Sequence, residues 1–303
     1  MEPTITELQY SSSLTKLLRR RLLEPLHPIT LQLVPTDTCN LNCDFCSVKN
    51  RPGNQLDLDT IEKVLYSEPF ITWLEAVEIT GGGEPTLYPH INELIELCWR
   101  SHLQIGIITN GTVLTKKVKH LDRLTWIRVS MNCLDYVPDI DLKGIPTHVT
   151  LGFSYVLNDR TTQDTLNKVG EYADKYNAAY VRIVPDCLDL DKGYALDVSH
   201  PKFYIQTKTY QSLTPVAPCR MGFLKPYLNS DGYFYWCSGV CLEERRFPEE
   251  YRMGYWNEAQ EIWAVGWKQI QKPFECHFSK CFWVEHNKLL ELANTPVPHG
   301  AFL

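Results

Sequence analysis

The chain has 303 residues and a net charge of −6, with 44% hydrophobic and 22% charged residues. No stretch approaches the ~20 apolar residues of a membrane span, so we expect no membrane association. The acidic balance gives no general attraction to nucleic acid or to anionic lipid. Eleven cysteines, an odd number, argue against a disulfide framework. We therefore expect a cytoplasmic globular protein whose cysteines bind metal.

Residues 1–28 are predicted to form a helical extension ahead of the first strand. They contain a leucine-rich, helix-like run with three consecutive arginines, Arg19, Arg20 and Arg21. Such a run is typical of a helix that packs on the protein body with its basic face in water. The alternative is a patch that guides an anionic substrate, and it is the one feature that favours nucleic acid.

Short runs rich in β-branched residues alternate with helical patterns along the next part of the chain. The predicted strands cover residues 29–34, 76–80, 104–109, 126–131, 148–156 and 179–184. Most are dense in valine and isoleucine, which indicates strands buried on both faces. Amphipathic helical patterns separate them at residues 57–67, 89–100 and 162–176. This alternation predicts an α/β protein of parallel βαβ units, in an open sheet or a partial barrel, with functional residues at the strand C-terminal ends.

The pattern changes near residue 198. Residues 200–213 are helix-like, and residues 227–236 read as a β-hairpin of aromatic strands around Asn-Ser-Asp-Gly. We therefore divide the chain into the extension 1–28, a first domain 29–198 and a small C-terminal cysteine-rich α+β module 199–303.

Three cysteines follow the first predicted strand in a C-x3-C-x2-C pattern: Cys39, Cys43 and Cys46. Zinc sites usually have C-x2-C pairs and four closed ligands, whereas only three local ligands are present here. An iron–sulfur cluster on three cysteines would leave one iron open to a small molecule. The Asn and Asp residues between the cysteines favour tight turns.

The second predicted strand ends in "GGGEP", residues 81–85. Glycines at this place let the backbone approach a ligand closely. A tight βα turn is the simpler explanation of a glycine triplet on its own. Its position at the next strand end after the cysteine motif favours a ligand-binding turn.

Together, "CNLNCDFC" and "GGGEP" resemble the motifs of the radical S-adenosylmethionine (SAM) enzymes. The resemblance covers residues 29 to 190. It implies a partial (β/α)6, TIM-like barrel, and a four-iron, four-sulfur cluster on Cys39, Cys43 and Cys46 with SAM on the fourth iron. It also implies reductive cleavage of SAM to a 5′-deoxyadenosyl radical that abstracts hydrogen from a substrate. A flavodoxin- or ferredoxin-type reductase would supply the electron.

The resemblance also assigns cofactor contacts to individual positions. The matching residues are Phe45, Gly82, Gly83, Glu84, Asn110, Ser130, Asn132, Ser154 and Val184. The Gly82–Glu84 turn is expected to receive the SAM ammonium, and Ser130 with Asn132 the ribose. Ser154 is expected near the methionine carboxylate and Val184 near adenine. A local hydrogen bond at a strand end is the alternative for Asn110, Ser130 and Ser154.

The C-terminal cysteines resemble the "twitch" module, a short relative of the SPASM extension, which carries one auxiliary four-iron, four-sulfur cluster. The implied ligands are Cys219, Cys237, Cys276 and Cys281, with Cys241 as a possible substitute. The x4 spacing of the last pair departs from the usual x2. A zinc site on the same cysteines is the alternative.

Cys187 follows the sixth predicted strand, close to where a substrate would lie. It is a candidate hydrogen-atom donor or ligand, and packing is the simpler explanation. The expected function is radical SAM chemistry of the oxidoreductase or isomerase type on a small molecule such as an amino acid derivative, a sugar or a nucleoside. Net oxidation or bond formation is the first expectation for the reaction type. The alternative is radical rearrangement or modification of a base or an amino-acid adduct in nucleic acid or peptide. A non-catalytic iron–sulfur or zinc protein is the remaining alternative.

Overall fold

The structure is a computed structural model, and it describes residues 27–189, 192–205, 219–242 and 244–265, with residues 281, 283, 284 and 287. The arginines of the N-terminal extension and Cys276 lie outside the described residues, so the predictions made for them stay predictions. Within the described ranges, no helix has the length and hydrophobicity that crossing a membrane requires.

A single ten-stranded sheet organises the protein, in the order β10-β9-β8-β1-β2-β3-β4-β5-β6-β7. The strands are β1 (Thr30–Leu33), β2 (Ala76–Ile79), β3 (Gln104–Thr109), β4 (Trp126–Ser130), β5 (Thr150–Val156), β6 (Tyr180–Val184), β7 (Phe203–Ile205), β8 (Tyr227–Leu228), β9 (Phe234–Tyr235) and β10 (Arg252–Gly254). All neighbours from β8 through β1 to β7 are parallel, and β8, β9 and β10 pair antiparallel. The six predicted strands are confirmed as β1 to β6, in sequential order.

Helices cover one face of this sheet. They are α1 (Leu58–Leu65), α2 (Phe70–Trp73), α3 (Ile91–Arg100), α4 (Leu114–Lys117), α5 (Gln163–Lys175), α6 (Met221–Leu224) and α7 (Trp256–Val265). The three long amphipathic patterns are confirmed as α1, α3 and α5. In α3 the apolar positions Ile91, Leu94, Ile95 and Cys98 are all buried, as their spacing predicts.

Strands β1, β2 and β4 are buried on one face only, so the expectation of burial on both faces is wrong for them, whereas β3 and β5 have runs of consecutive buried residues, as expected. Alternate residues such as Leu31, Ile79 and Val129 pack with the helices in one large apolar core. The residues between them stay half-buried, which gives an in–out burial pattern along β1, β2 and β4. We call this second side the inner face, and it bears polar, charged and aromatic side chains.

The sheet continues past residue 198. Phe203–Ile205, within the segment predicted to be helical, form β7 and pair parallel with β6, so that part of the prediction is wrong. A three-residue edge strand carries too little periodicity to be recognised from sequence. The hairpin is confirmed as β8 and β9, and β8 pairs with β1. The division at residue 198 stays a prediction.

Candidate functional site

The cysteine loop begins at the C-terminal end of β1, where the sequence predicted it. Its backbone is folded tightly, because the Cys46 N–H donates to the Cys43 carbonyl at 3.1 Å and the Leu41 N–H donates to the Cys39 sulfur at 3.4 Å. Asp44 in the middle of the loop donates its N–H to the Tyr136 hydroxyl at 3.2 Å. The loop is therefore a defined structure that presents its thiols at the strand ends.

The three thiols of this loop are half-buried and lie near one another. Burial raises the pKa of Cys43 to about 11, and the neighbouring thiols of Cys46 and Cys39 add to this shift. Burial likewise raises the pKa of Cys39. In the described ranges, no three His, Cys, Asp or Glu side chains are grouped as a site for one metal ion. A four-iron cluster does not need such a grouping, because each thiolate binds a different iron, so this loop fits the predicted cluster.

Two arginines hold the cysteine loop, and sequence reasoning assigned neither. Arg51 donates to the Cys46 sulfur at 3.2 Å and to the carbonyls of Leu41 and Val48 at 3.0 and 2.9 Å. Arg245, which is 199 positions from Cys46, donates to the Cys46 carbonyl from Nη2 at 2.6 Å and from Nε at 3.0 Å. The C-terminal part of the chain thus contributes directly to the geometry of the cysteine motif.

The glycine turn after β2 packs against the cysteine loop. A Cβ on Gly83 would lie 2.2 Å from the Thr38 carbonyl oxygen, so only glycine fits there. The adjacent Glu84 N–H donates to that same oxygen at 2.8 Å. At Gly82 an added Cβ would meet ordinary contacts, the nearest being Val48 at 3.5 Å. Gly83 is therefore needed for close backbone packing, whereas Gly82 leaves room beside the loop.

The Glu84 carboxylate ties two strand ends together. Its Oε1 accepts hydrogen bonds from the Thr86 N–H at 3.1 Å and from the hydroxyls of Thr86 and Thr109 at 2.6 Å. Its Oε2 accepts the Asn110 N–H at 2.6 Å. The side chain is only 2% exposed, and burial raises its pKa. The expected contact between this carboxylate and the SAM ammonium stays a prediction, and the structure adds a structural role that the motif did not reveal.

Asn110, at the end of β3, bonds to the cysteine loop. Its amide nitrogen donates to the Asn40 side-chain oxygen at 2.8 Å, and Asn40 in turn donates to the Thr112 hydroxyl at 2.8 Å. Thr112 also donates its hydroxyl and N–H to the Asn110 side-chain oxygen. The predicted site residue Asn110 is thus brought to the cysteine motif, with Asn40 and Thr112 as partners that the sequence did not identify.

Ser130 and Ser154 lie side by side on the inner face. They are paired in register at the C-terminal ends of β4 and β5. Across the described part of the chain, neither hydroxyl has a side-chain hydrogen bond, and Ser130 does not cap the turn that follows it. The alternative of a local hydrogen bond is therefore not seen for these two serines, although Ser154 is buried.

Asn132 has a different environment. Its amide oxygen accepts the Val156 N–H at 2.7 Å, and its amide nitrogen donates to the Val156 carbonyl at 2.8 Å. A third bond joins it to Asp135. The side chain is committed to joining the ends of β4 and β5, and its expected ribose contact stays a prediction. Val184 closes β6 and is buried, and Phe45 is half-buried in the cysteine loop.

The remaining cysteines fall into separate groups. Cys219 lies near Cys281 and accepts a hydrogen bond from Asn287 at 3.5 Å. Cys237 accepts the Gly239 N–H at 3.2 Å. Burial raises the pKa of Cys241 to about 12, with Cys187 and Cys46 near enough to add to the shift. Cys241 is thus on the side of the cysteine loop, and the predicted auxiliary ligand set stays a prediction.

Comparison with known proteins agrees with this geometry. Residues 33–150 match the family model of the radical SAM superfamily. A tungsten-containing aldehyde ferredoxin oxidoreductase cofactor-modifying protein of Pyrococcus furiosus is 30% identical over 90 residues, which cover 29% of this chain and 25% of that protein. The molybdenum cofactor biosynthesis protein 1 of Drosophila melanogaster is 34% identical over 143 residues, which cover 44% of this chain and 24% of that protein.

Among solved structures, the chain resembles Streptococcus suis SuiB bound to the precursor peptide SuiA. The TM-score is 0.57 with 14% identity, over 87% of this chain and 71% of SuiB. This likeness shows the fold and confirms the partial TIM-like barrel. The matched stretches span a quarter or less of the length of the two curated relatives. The cysteine loop, the glycine turn and the sheet order agree with the match of residues 33–150 to the radical SAM family model.

Proposed function

We propose that the protein is an enzyme that reductively cleaves SAM and uses the resulting radical to abstract hydrogen from a small-molecule substrate. One observation carries the proposal. The cysteine loop, the Gly82–Glu84 turn and Asn110 come from three strand ends and are joined by direct hydrogen bonds into one site. A protein that only stores or transfers electrons has no need for the second and third of these elements.

The roles follow from the contacts. A four-iron cluster and SAM, when bound, supply a 5′-deoxyadenosyl radical after one electron has entered from a flavodoxin- or ferredoxin-type reductase. Cys39, Cys43 and Cys46 would hold the cluster, and the backbone at Gly82 would accept the SAM ammonium. Ser130 and Ser154 present unpartnered hydroxyls toward the ribose and the carboxylate. Glu84 and Asn110 hold the glycine turn, the end of β3 and the cysteine loop in fixed positions relative to one another.

The first test is the protein reconstituted anaerobically with iron and sulfide. We expect an EPR signal of the reduced protein that shifts when SAM is added, and 5′-deoxyadenosine on addition of dithionite and SAM. Cys43→Ala should abolish both, whereas Cys98→Ala, which removes a thiol from the apolar face of α3, should change neither. Retained cleavage in Cys43→Ala would contradict the assignment.

We further propose net oxidation of the substrate, with one auxiliary cluster that accepts an electron from the substrate radical. The proximity of Cys219 and Cys281 supports a shared site. Iron, sulfide and zinc per chain distinguish the alternatives: about eight irons indicate two clusters, whereas about four irons with one zinc indicate a structural zinc site. Cys219→Ser should remove about four irons or the zinc, and unchanged metal content would take Cys219 off the ligand list.

A peptide substrate is the second candidate, because SuiB, which has a similar fold, is seen with a precursor peptide.

A reducing compartment such as the cytoplasm fits the ten described cysteines, since no disulfide joins any of them.

A further inference from the structure

The inner face of the barrel carries an excess of positive charge. Arg128 on β4 and Arg182 on β6 are both half-buried on this face. Their neighbours in the same group are Glu78 on β2 and Lys225, which form an ion pair of 2.9 Å. Three cations and one carboxylate are therefore grouped together, which leaves two positive charges without a counter-charge among the described residues.

The four charges act on one another across the barrel. Burial by itself would raise the pKa of Glu78, but Lys225, Arg128 and Arg182 hold it below the usual value. Burial lowers the pKa of Arg182 to about 10, and the charge of Arg128 contributes to this shift. The two guanidinium groups therefore share one space and repel each other.

Both arginines also have buried nitrogen atoms without a hydrogen-bond partner. In the described ranges, few buried side-chain nitrogen or oxygen atoms lack a hydrogen-bond partner. The Nε of Arg128 and the Nε of Arg182 are two of them. Neither side chain forms an ion pair or hydrogen bond with another described residue. A buried N–H group without a partner costs free energy, and a bound anion would supply the missing acceptors.

Aromatic rings close the space beneath the arginines. The indole of Trp126 fills the position where a Cβ on Gly106 would lie, and the ring of Tyr180 does the same over Gly152. The Arg128 guanidinium lies 5.5 Å from the centre of the Trp126 ring. Gly106 on β3 and Gly152 on β5 therefore leave space for these two aromatic rings, which limit the access of water to the cations.

Arg182 lies at the level of the serines, and Arg128 lies one step below them. Arg128 is two residues before Ser130 on the same strand face, a distance of about 7 Å along the strand. Arg182 is paired in register with Ser154. A ligand group held by the arginines would lie within the barrel, directly beneath the strand ends that carry the SAM-binding elements.

We propose that Arg128 and Arg182 form an oxyanion site that binds the carboxylate or phosphate group of a small-molecule substrate inside the barrel. The guanidinium fork suits both groups, since each offers two oxygens to parallel N–H donors. The term substrate rests on the proposed function, whereas the anion site rests on the charges and unpartnered nitrogens alone. The anion would neutralise the excess charge and fix one end of the substrate, leaving its other end toward SAM.

The test is calorimetric titration of the reconstituted protein with inorganic phosphate and, separately, with acetate, at constant ionic strength maintained with chloride. We expect saturable one-site binding, with the better of the two anions identifying the substrate group. Arg128→Gln and Arg182→Gln should each weaken binding about tenfold or more, because each removes charge-assisted hydrogen bonds. Arg128→Lys and Arg182→Lys should restore part of the affinity, since lysine keeps the charge but not the fork.

The matched control is Arg100→Gln, which removes an exposed arginine paired with Glu96 on the outer side of α3. It should bind both anions as the unaltered protein does. Circular dichroism and iron content verify that every variant is folded. The proposal is overturned if neither anion binds saturably, or if binding persists unchanged in both folded glutamine variants.

The same preparation separates this proposal from the proposed function. Formation of 5′-deoxyadenosine from SAM and dithionite needs no anion, so it is measured on the unaltered protein alone. Cleavage without anion binding overturns the oxyanion site only. Anion binding without cleavage supports the site and contradicts the radical SAM activity.

Discussion

The guanidinium group of Arg51 donates a hydrogen bond to the thiol sulfur of Cys46 across 3.2 Å. The same side chain also donates to the carbonyls of Leu41 and Val48, so its position is determined by three bonds within the loop. Hydrogen bonds to the sulfur ligands of an iron–sulfur cluster are one of the factors that set its reduction potential. With the proposed cluster bound at Cys46, Arg51 would therefore be a positioning residue with a measurable electronic effect.

We expect Arg51→Gln to lower the midpoint potential of the cluster on the cysteine loop. An N–H donor stabilises the extra negative charge of the reduced state, so its loss makes reduction harder. The measurement is a redox titration followed by EPR. Lys49→Gln removes a cation of the same loop that contacts oxygens of Asn42 and Asp44, and it should leave the potential nearly unchanged. Equal potentials in Arg51→Gln and the unaltered protein would contradict the role of Arg51.

Two neighbouring glycines should respond differently to alanine. Gly83→Ala places a methyl group against the Thr38 carbonyl and should destabilise the fold by about 1–3 kcal/mol. Gly82→Ala meets only ordinary contacts, so it should fold normally and bind SAM more weakly, because the methyl group takes ligand space. Thermal unfolding measures the first effect and SAM titration the second. If Gly82→Ala unfolds as easily as Gly83→Ala, the distinction is wrong.

Glu84→Gln should reduce stability by about 2 kcal/mol. The amide supplies one oxygen in place of two, and its NH2 group would face donors that the carboxylate now accepts. Chemical denaturation measures the change, with Glu62→Gln on the exposed side of α1 as a control that should lie within about 0.5 kcal/mol of the unaltered protein. A variant with full stability and no SAM binding would instead place Glu84 against the ligand and remove its structural role.

Arg182→Gln should stabilise the protein in buffer without phosphate or carboxylate. The folded-state pKa of Arg182 lies below its unfolded value, so the charged form is disfavoured by folding at every pH below about 10. Removal of that charge should raise the free energy of unfolding by about 1–2 kcal/mol. Arg100→Gln should leave it unchanged. A clear loss of stability in Arg182→Gln would show that the guanidinium has structural partners.

The sequence alone predicted the sheet well where burial is periodic. Strands β1 to β6 are long enough to show this periodicity, and α1, α3 and α5 each have a clear apolar face. It failed at β7, which has three residues, and it overestimated the burial of β1, β2 and β4. In these strands the residues between the buried positions face a half-open interior, so only one face is fully buried.

The sequence predicted the motifs of the candidate site, but not the contacts that connect them. The cysteine and glycine motifs are local, because a cofactor needs several backbone groups from one turn, and this local requirement determines their spacing. The bonds of Arg245 to the cysteine loop and the pairing of Glu84 with Asn110 join separate segments. Such contacts depend on the order of the strands in the sheet, which cannot be read from the spacing of residues along the chain. The two excess charges on Arg128 and Arg182 emerge only when three strands and the end of α6 bring their residues to one interior, because charge balance is a property of the enclosed space and not of the composition.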